Sequence, residues 1–226
     1  MADFSWSVIG FDLDGTLVES SGDLAAAVNH VLGIAGRPSL RVEQVRPMIG
    51  GGSRHMLAQA LGATGGCRED ELDSLLPQLL AFYEAHIAVE TRPFPGCVEA
   101  LDALAVRGVR LAVVTNKLEG LARKVLGELG LLSRFAAVIG GDTLGDGRAK
   151  PKPDLLELMV ERCGTPALFV GDSRYDVMAA QAAGLRVVAC DFGISPVPGD
   201  ELGADAVIRS YDELLPTIEQ LAGVER

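Results

Sequence analysis

The sequence lacks three features that would place it in familiar classes of protein. Its four cysteines, Cys67, Cys97, Cys163 and Cys190, form no C-x-x-C pair, which argues against a zinc ribbon or redox motif and favours free thiols in a reducing compartment. No apolar run approaches the ~18 residues of a membrane span. The first residues carry neither a basic segment nor an apolar signal core. We therefore expect a cytoplasmic protein with no membrane association.

Basic residues are also scarce. Lys and Arg number 20 against 31 Asp and Glu, which gives a net charge of −11. A protein this acidic repels the nucleic-acid backbone and anionic membrane surfaces, so we expect neither as a partner. A small anionic substrate is compatible with this charge if a metal ion or a few cationic side chains reverse the field locally.

What the 226 residues do contain is an alternation of short apolar runs with helical patterns. Six runs read as buried strands: Ser7–Phe11, Leu111–Val114, Ala136–Ile139, Ala167–Val170, Val187–Cys190 and Ala206–Ile208. Helical spacing follows most of them: Cys97–Val106, Glu119–Leu129, Asp154–Arg162, Tyr175–Ala183 and Asp212–Leu221. This alternation predicts an α/β fold built on a doubly wound parallel sheet.

The alternation is interrupted from about Val18 to Thr91, where there are helical patterns but no convincing strand. Helical spacing covers Asp23–Ile34, Arg54–Leu61 and Glu69–Val89, and Pro77 is expected to break or kink the last of these. Residues 91–96 have the composition of a linker. We predict a core domain of residues 1–17 and 92–226, with an inserted α-helical domain, termed the cap, at 18–91.

Two aspartates directly follow the first predicted strand, in the run Asp12-Leu13-Asp14-Gly15-Thr16. Open α/β sheets bind ligands at the carboxyl ends of their strands, so Asp12 and Asp14 are candidate site residues. An Asp-Gly pair taken alone is better explained as an ordinary turn. The interpretation as a site therefore depends on three further segments.

Each further segment also has a simpler explanation when taken alone. Thr115 and Asn116 follow a predicted strand, where they could hold a phosphate oxygen or cap a helix. Lys150, in Lys-Pro-Lys-Pro, could be a solvated surface charge. Asp172 stands at a strand end with Asp176 about one helical turn further on, where helix capping is an equal alternative.

Together, these segments bring several carboxylates, a hydroxyl and a lysine to one edge of the sheet. Clustered carboxylates repel one another, so the set implies a bound cation. Hard oxygen ligands beside a phosphate fit Mg²⁺.

The four motifs Asp-x-Asp-Gly-Thr, Thr-Asn, Lys-Pro-x-Pro and Gly-Asp-Ser-x-x-Asp, in this order, resemble those of the haloacid dehalogenase superfamily. The run Phe11–Val18 and the helical insertion resemble phosphoglycolate phosphatases in particular. The resemblance implies a magnesium-dependent phosphatase that acts on a small phosphorylated metabolite, with 2-phosphoglycolate as the best candidate, through a phospho-aspartyl intermediate.

Carried over residue by residue, the resemblance makes Asp12 the nucleophile and Asp14 the general acid and base. Lys150 would offset the charge of Asp12. The resemblance assigns Thr115 and Lys150 to the phosphoryl oxygens, and Asn116 and Gly15 are further candidate substrate-binding residues. The predicted magnesium ligands are Asp12, Asp14 through its backbone carbonyl, Asp172 and Asp176.

Recognition of the leaving group should lie in the cap, because the four motifs contact only the phosphoryl group. The segment Ile49–Arg54 contains three glycines that permit a close approach of the backbone. Arg54 could pair with a substrate carboxylate, although a flexible turn followed by a solvated arginine is an equal explanation.

Four alternatives stay open at this point. Three belong to the same superfamily: a phosphoglucomutase-like phosphotransferase, a sugar phosphatase and a pyrophosphatase. The fourth is a non-enzymatic, receiver-like phospho-acceptor module. True dehalogenases and phosphonate hydrolases lack the second aspartate of the first motif, so Asp14 argues against both.

Overall fold

The structure is a computed structural model that describes residues 5–222. Its strands are β1 (Val8–Phe11), β2 (Val18–Glu19), β3 (Arg92–Pro93), β4 (Arg110–Val114), β5 (Ala137–Ile139), β6 (Ala167–Gly171), β7 (Arg186–Cys190) and β8 (Ala206–Ile208). Its α-helices are α1 (Ser21–Ile34), α2 (Val42–Val45), α3 (Ser53–Ala63), α4 (Glu69–Ala85), α5 (Cys97–Val106), α6 (Glu119–Glu128), α7 (Asp154–Cys163), α8 (Arg174–Ala182) and α9 (Leu214–Ala222).

Six strands form one parallel sheet in the order β5-β4-β1-β6-β7-β8, with helices on both faces. Side chains along each strand alternate between two buried clusters, because successive residues point to opposite faces. Ile9 and Phe11 of β1 pack on the side of α5, α6 and α9, whereas Val8 packs on the side of α7 and α8. The predicted doubly wound α/β sheet is confirmed.

Strand β1 lies at the centre of the sheet, between β4 and β6. Phe11, its last residue, is in register with Val113 of β4 and Val170 of β6. The chain adds β4 and β5 on one side of β1 and then returns to place β6 on the other side. Ligands bind at such a reversal, so the residues that follow β1, β4 and β6 are positioned to form one site.

Helices α1 to α4 lie in the stretch predicted to form the cap, and α4 continues through Pro77 instead of breaking there. Proline inside a helix costs about 3 kcal/mol, but Pro77 is exposed while Leu75 and Leu79 beside it are buried. Burying each leucine contributes roughly 1.5–3 kcal/mol, so the packing outweighs the proline penalty. The helix ends at Ala85, before the predicted end.

A short antiparallel ribbon joins the two chain crossings between this helical region and the sheet. Val18 pairs with Pro93 and Glu19 with Arg92, a pairing that the sequence analysis did not anticipate. The cap boundaries at 18 and 91 stay a prediction, and residues 1–4 and 223–226 of the predicted core lie outside the described residues. Across residues 5–222, every helix falls short of the length and apolar character that a membrane span requires.

Candidate active site

Asp12 follows the central strand β1 directly and is almost completely buried. Its Oδ1 lies 3.0 Å from Nζ of Lys150, as an ion pair. The same ammonium donates to Oδ1 of Asp176 at 2.5 Å and to the carbonyl oxygen of Val114 at 2.9 Å. Burial opposes the charge of Lys150, but the carboxylates of Asp12 and Asp176 outweigh it and raise the pKa of the ammonium. Lys150 therefore stays a buried cation beside Asp12.

Asp14 is held by two donors that the sequence analysis did not identify. Nζ of Lys117 donates to both carboxylate oxygens of Asp14 at 2.7 Å, and the Ser20 hydroxyl donates to Oδ1 at 2.6 Å. Lys117 is buried, yet the charge of Asp14 outweighs the effect of burial and raises the pKa of Lys117. Its signal was its position directly after Asn116, at the same strand end as Thr115.

A second pair of carboxylates follows β6. Oδ2 of Asp172 accepts hydrogen bonds from the backbone N–H groups of Ile194 and Ser195, at 2.9 and 3.1 Å. Asp176 accepts from the Ser173 hydroxyl at 2.6 Å as well as from Lys150. Ligand oxygens of Asp12, Asp172 and Asp176 all lie within 4.8 Å of one another. The three carboxylates that were predicted to bind the metal thus converge on one point.

Gly15 is the residue that lets the first motif approach this acidic cluster. Its φ of +86° is a conformation that side chains rarely adopt, and a Cβ atom there would lie 2.2 Å from Oδ2 of Asp172. Only glycine fits between the first and fourth motifs.

The charges of the site favour a bound divalent cation. Burial raises the pKa of Asp12 to about 6, although Lys150 opposes the shift. Burial also raises the pKa of Asp172 well above its ordinary value, and the charges of Asp176 and Asp12 add to that shift. Both raised values mean that the protein alone poorly stabilises these anions. Four buried carboxylates face two buried ammonium groups, so two negative charges are in excess, and the donor set fits a divalent metal ion.

The second motif lies at the same edge of the sheet as Asp12 and also contacts the cap. Thr115 is buried and its Oγ1 accepts a hydrogen bond from the backbone N–H of Lys117 at 3.2 Å. The side-chain amide of Asn116 donates to the carbonyl oxygens of Gly50 at 2.9 Å and Lys150 at 3.0 Å. Asn116 therefore joins the cap segment around Gly50 to the loop that carries Lys150. The roles of both residues in phosphate binding stay predictions.

A pocket opens beside Asp12 and Asp14, between the sheet and the cap. Its apolar lining comes from Leu24, Ile49, Met56, Leu79, Leu80, Leu118 and Leu121, and its polar lining includes Tyr83, Thr115, Asn116 and Lys117. We term it the apolar pocket.

Arg54 is occupied elsewhere. Its exposed guanidinium forms ion pairs with Glu69 and with Asp73, the latter at 2.7 Å. Within residues 5–222, Arg54 is not among the residues that line the apolar pocket. The predicted contact between Arg54 and a substrate carboxylate would require both ion pairs to be exchanged, and it stays a prediction.

The model of the haloacid dehalogenase-like hydrolase family matches residues 9–190, a range that spans all four motifs. This chain belongs to that family. The match confirms the resemblance that the motifs indicated, and it removes the non-enzymatic, receiver-like alternative.

Similar proteins cover nearly the whole length of this hydrolase. It is 38% identical to a phosphoglycolate phosphatase from Agrobacterium fabrum, over 92% of this chain and 90% of the relative. It is 41% identical to a phosphoglycolate phosphatase from Rhodospirillum rubrum, over 90% of this chain and 87% of the relative. A crystal structure of a predicted phosphoglycolate phosphatase from Haemophilus somnus superposes with a TM-score of 0.88 at 31% identity, covering 96% of this chain and 99% of that one.

Proposed function

We propose that this hydrolase removes phosphate from 2-phosphoglycolate in a magnesium-dependent reaction, with Asp12 as the nucleophile. One observation carries the chemistry: the Asp12 carboxylate lines the apolar pocket, and the Lys150 ammonium lies 3.0 Å from its Oδ1. A carboxylate held in place beside a buried cation, at the wall of a pocket, is positioned to attack phosphorus. Phosphatase chemistry, expected from the motifs, is confirmed by the relatives, and two phosphoglycolate phosphatases among them support the substrate.

The reaction would take place in two displacements. A carboxylate oxygen of Asp12 attacks phosphorus, the bond from phosphorus to the glycolate oxygen breaks, and Asp14, which must enter this step in its protonated form, gives its proton to that oxygen. A water molecule then attacks the phosphorus of the aspartyl phosphate and gives a proton to Asp14, the bond from phosphorus to the Asp12 oxygen breaks, and inorganic phosphate leaves with Asp12 regenerated. Lys117 and Ser20 hold Asp14 in place for both transfers, which contribute roughly 10²–10⁴ in rate.

The acidic cluster is the proposed binding site for Mg²⁺. Asp12, Asp172 and Asp176 would hold the ion together with the backbone carbonyl of Asp14. When bound, the ion supplies the positive charge that offsets the carboxylates and the phosphate oxygens. Within the protein itself, the Lys150 ammonium supplies positive charge beside Asp12.

The proposed setting is the cytoplasm, with a small phosphorylated metabolite as the partner. Cys97, Cys163 and Cys190 are buried free thiols and Cys67 is an exposed free thiol. Unpaired thiols suit a reducing compartment. The excess of acidic residues supports the expectation that neither nucleic acid nor a membrane surface is bound.

The proposal is tested with a panel of phosphomonoesters and MgCl₂. We expect the highest kcat/KM for 2-phosphoglycolate, with sugar phosphates, nucleotides and pyrophosphate lower. A higher kcat/KM for a sugar phosphate or for pyrophosphate would contradict the substrate. Formation of a doubly phosphorylated sugar or of a phosphate-shifted isomer, in place of inorganic phosphate, would identify a phosphotransferase.

A further inference from the structure

The apolar pocket contains one feature that does not match its apolar walls. Among the described residues that line it, Lys117 is the only cation. An ammonium has three N–H donors, and two of those of Lys117 are directed to the oxygens of Asp14. One donor remains for another acceptor. A buried cation at the edge of an apolar space attracts an anionic group strongly, because little water screens it.

Tyr83 lines the same pocket from the cap helix α4, and its hydroxyl is also without a partner. The side chain is 2% exposed, and the hydroxyl makes no hydrogen bond within the described part of the chain. A buried polar group left unpaired is destabilising, so an orphaned hydroxyl in the wall of a pocket points to a missing acceptor. Nζ of Lys117 lies 4.8 Å from the centre of the Tyr83 ring, so the two groups are neighbours.

We propose that Tyr83 and Lys117 together bind the carboxylate of the substrate's leaving group. Lys117 supplies the charge from the sheet side, and Tyr83 donates one neutral hydrogen bond from the cap. A carboxylate can accept from both donors at once because it has two oxygens. The inference rests on the proposed function, since it assigns specificity residues for the same reaction. It places recognition of the substrate carboxylate in the apolar pocket instead of at Arg54.

The arrangement also explains why a carboxylate is favoured over a neutral group of the same size. A site that contains buried donors for an anion leaves those donors unpaired when a neutral analogue binds. Tyr83 belongs to the cap and Lys117 to the sheet domain, so the substrate carboxylate would join the two parts across the pocket. The phosphoryl group would lie at the other end, at Asp12.

The test compares 2-phosphoglycolate with glycolamide phosphate, in which a neutral amide of the same size replaces the carboxylate. For Tyr83→Phe we expect the ratio of kcat/KM for the acid to kcat/KM for the amide to fall about tenfold, the loss of one hydrogen bond to a charged group. Tyr175→Phe is the matched control, since Tyr175 does not line the apolar pocket; its ratio should equal that of the wild type. Tyr83→Phe should unfold at or above the wild-type temperature, because the substitution removes a buried hydroxyl that has no hydrogen-bond partner among the described residues.

A binding measurement separates recognition from turnover. In an Asp12→Asn background with MgCl₂, Tyr83→Phe should raise the Kd of 2-phosphoglycolate about tenfold, measured by calorimetry. Lys117→Gln also removes a partner of Asp14, so both substrates should be hydrolysed more slowly, but the ratio of acid to amide should still fall.

Failure of the proposed substrate can be distinguished from failure of the roles assigned to Tyr83 and Lys117. If the wild-type enzyme hydrolyses the acid no better than the amide, the proposed substrate is wrong. If the wild type strongly prefers the acid, and Tyr83→Phe and Lys117→Gln both keep that preference, the substrate stands and the assignment of these two residues is overturned.

Discussion

Replacing Lys150 by methionine tests whether the acidic cluster depends on its buried ammonium. Methionine keeps most of the volume of the side chain but removes the charge. The change leaves Asp12 and Asp176 without their shared cation and the carbonyl oxygen of Val114 without its donor. All three acceptors are buried, so water cannot replace the lost contacts.

The expected loss of stability is large because the pairs are desolvated. Removing one partner of a buried ion pair costs about 3–5 kcal/mol. For a chain of this size, 1 kcal/mol shifts Tm by roughly 2–4 °C, so we expect Tm to fall by about 6–20 °C in the presence of EDTA. Activity should also be lost, because Lys150 opposes the rise in the pKa of Asp12 and its removal would favour the protonated, non-nucleophilic acid.

The assay is thermal unfolding followed by circular dichroism in EDTA, together with kcat/KM for 2-phosphoglycolate in MgCl₂. Lys152→Met is the matched control, because Lys152 lies in the same loop but is exposed. Its Tm should stay near that of the wild type, since surface substitutions change stability by about 0.5 kcal/mol or less. Equal effects of the two substitutions would refute the assignment of Lys150 to the site.

Three further predictions follow from other contacts. Asp172→Ala should raise the MgCl₂ concentration needed for half-maximal activity. An unchanged value would show that Asp172 only holds its loop in place and does not bind the metal. Asp12→Asn should raise stability in EDTA at pH 7.5 by about 3 kcal/mol in urea unfolding. The direction of this change in stability follows from the pKa of Asp12, which is about 6 in the folded state and therefore lies above the ordinary 3.8. The neutral acid stabilises the fold below pH 3.8, and that contribution is lost as the pH rises through 6. A variant less stable than the wild type would contradict this prediction. Thr91→Val removes the 2.6 Å hydrogen bond from the Thr91 hydroxyl to Asp23. We expect the free energy of unfolding in urea to fall by about 1.5–3 kcal/mol. An unchanged unfolding midpoint would show that this hydrogen bond does not stabilise the fold.

The sheet was predictable from the sequence because its strands are buried on both faces. Runs such as Leu168-Phe169-Val170 are apolar throughout, a pattern that only a covered parallel strand requires. The continuation of α4 through Pro77 was not predictable from the local pattern, because the packing of Leu75 and Leu79 on distant helices decides it. The ribbon of β2 and β3 was missed for a similar reason: two-residue strands have no periodicity to detect.

Like the fold, the candidate site was predicted from the sequence only in part. Asp12, Asp172 and Asp176 follow strands that pair in register, so their convergence follows from the motif order once the sheet is known. Lys117 was missed because its one sequence signal, its position directly after Asn116, does not show where its side chain goes, and only the fold shows that it reaches Asp14. Arg54 was chosen for its charge near a glycine-rich turn, but Glu69 and Asp73, distant in sequence, compete for its guanidinium.

The most direct test of the central claim is to trap the phosphorylated enzyme. Asp14→Asn leaves the nucleophile intact but removes the base that activates water, and p-nitrophenyl phosphate provides a leaving group that needs no proton. After rapid acid quenching of this variant with MgCl₂, mass spectrometry should find one phosphoryl group on the peptide that contains Asp12. The label should be absent when Asp12→Asn is added. A released nitrophenol burst without any phosphorylated peptide, or phosphate on a peptide that lacks Asp12, would contradict the account.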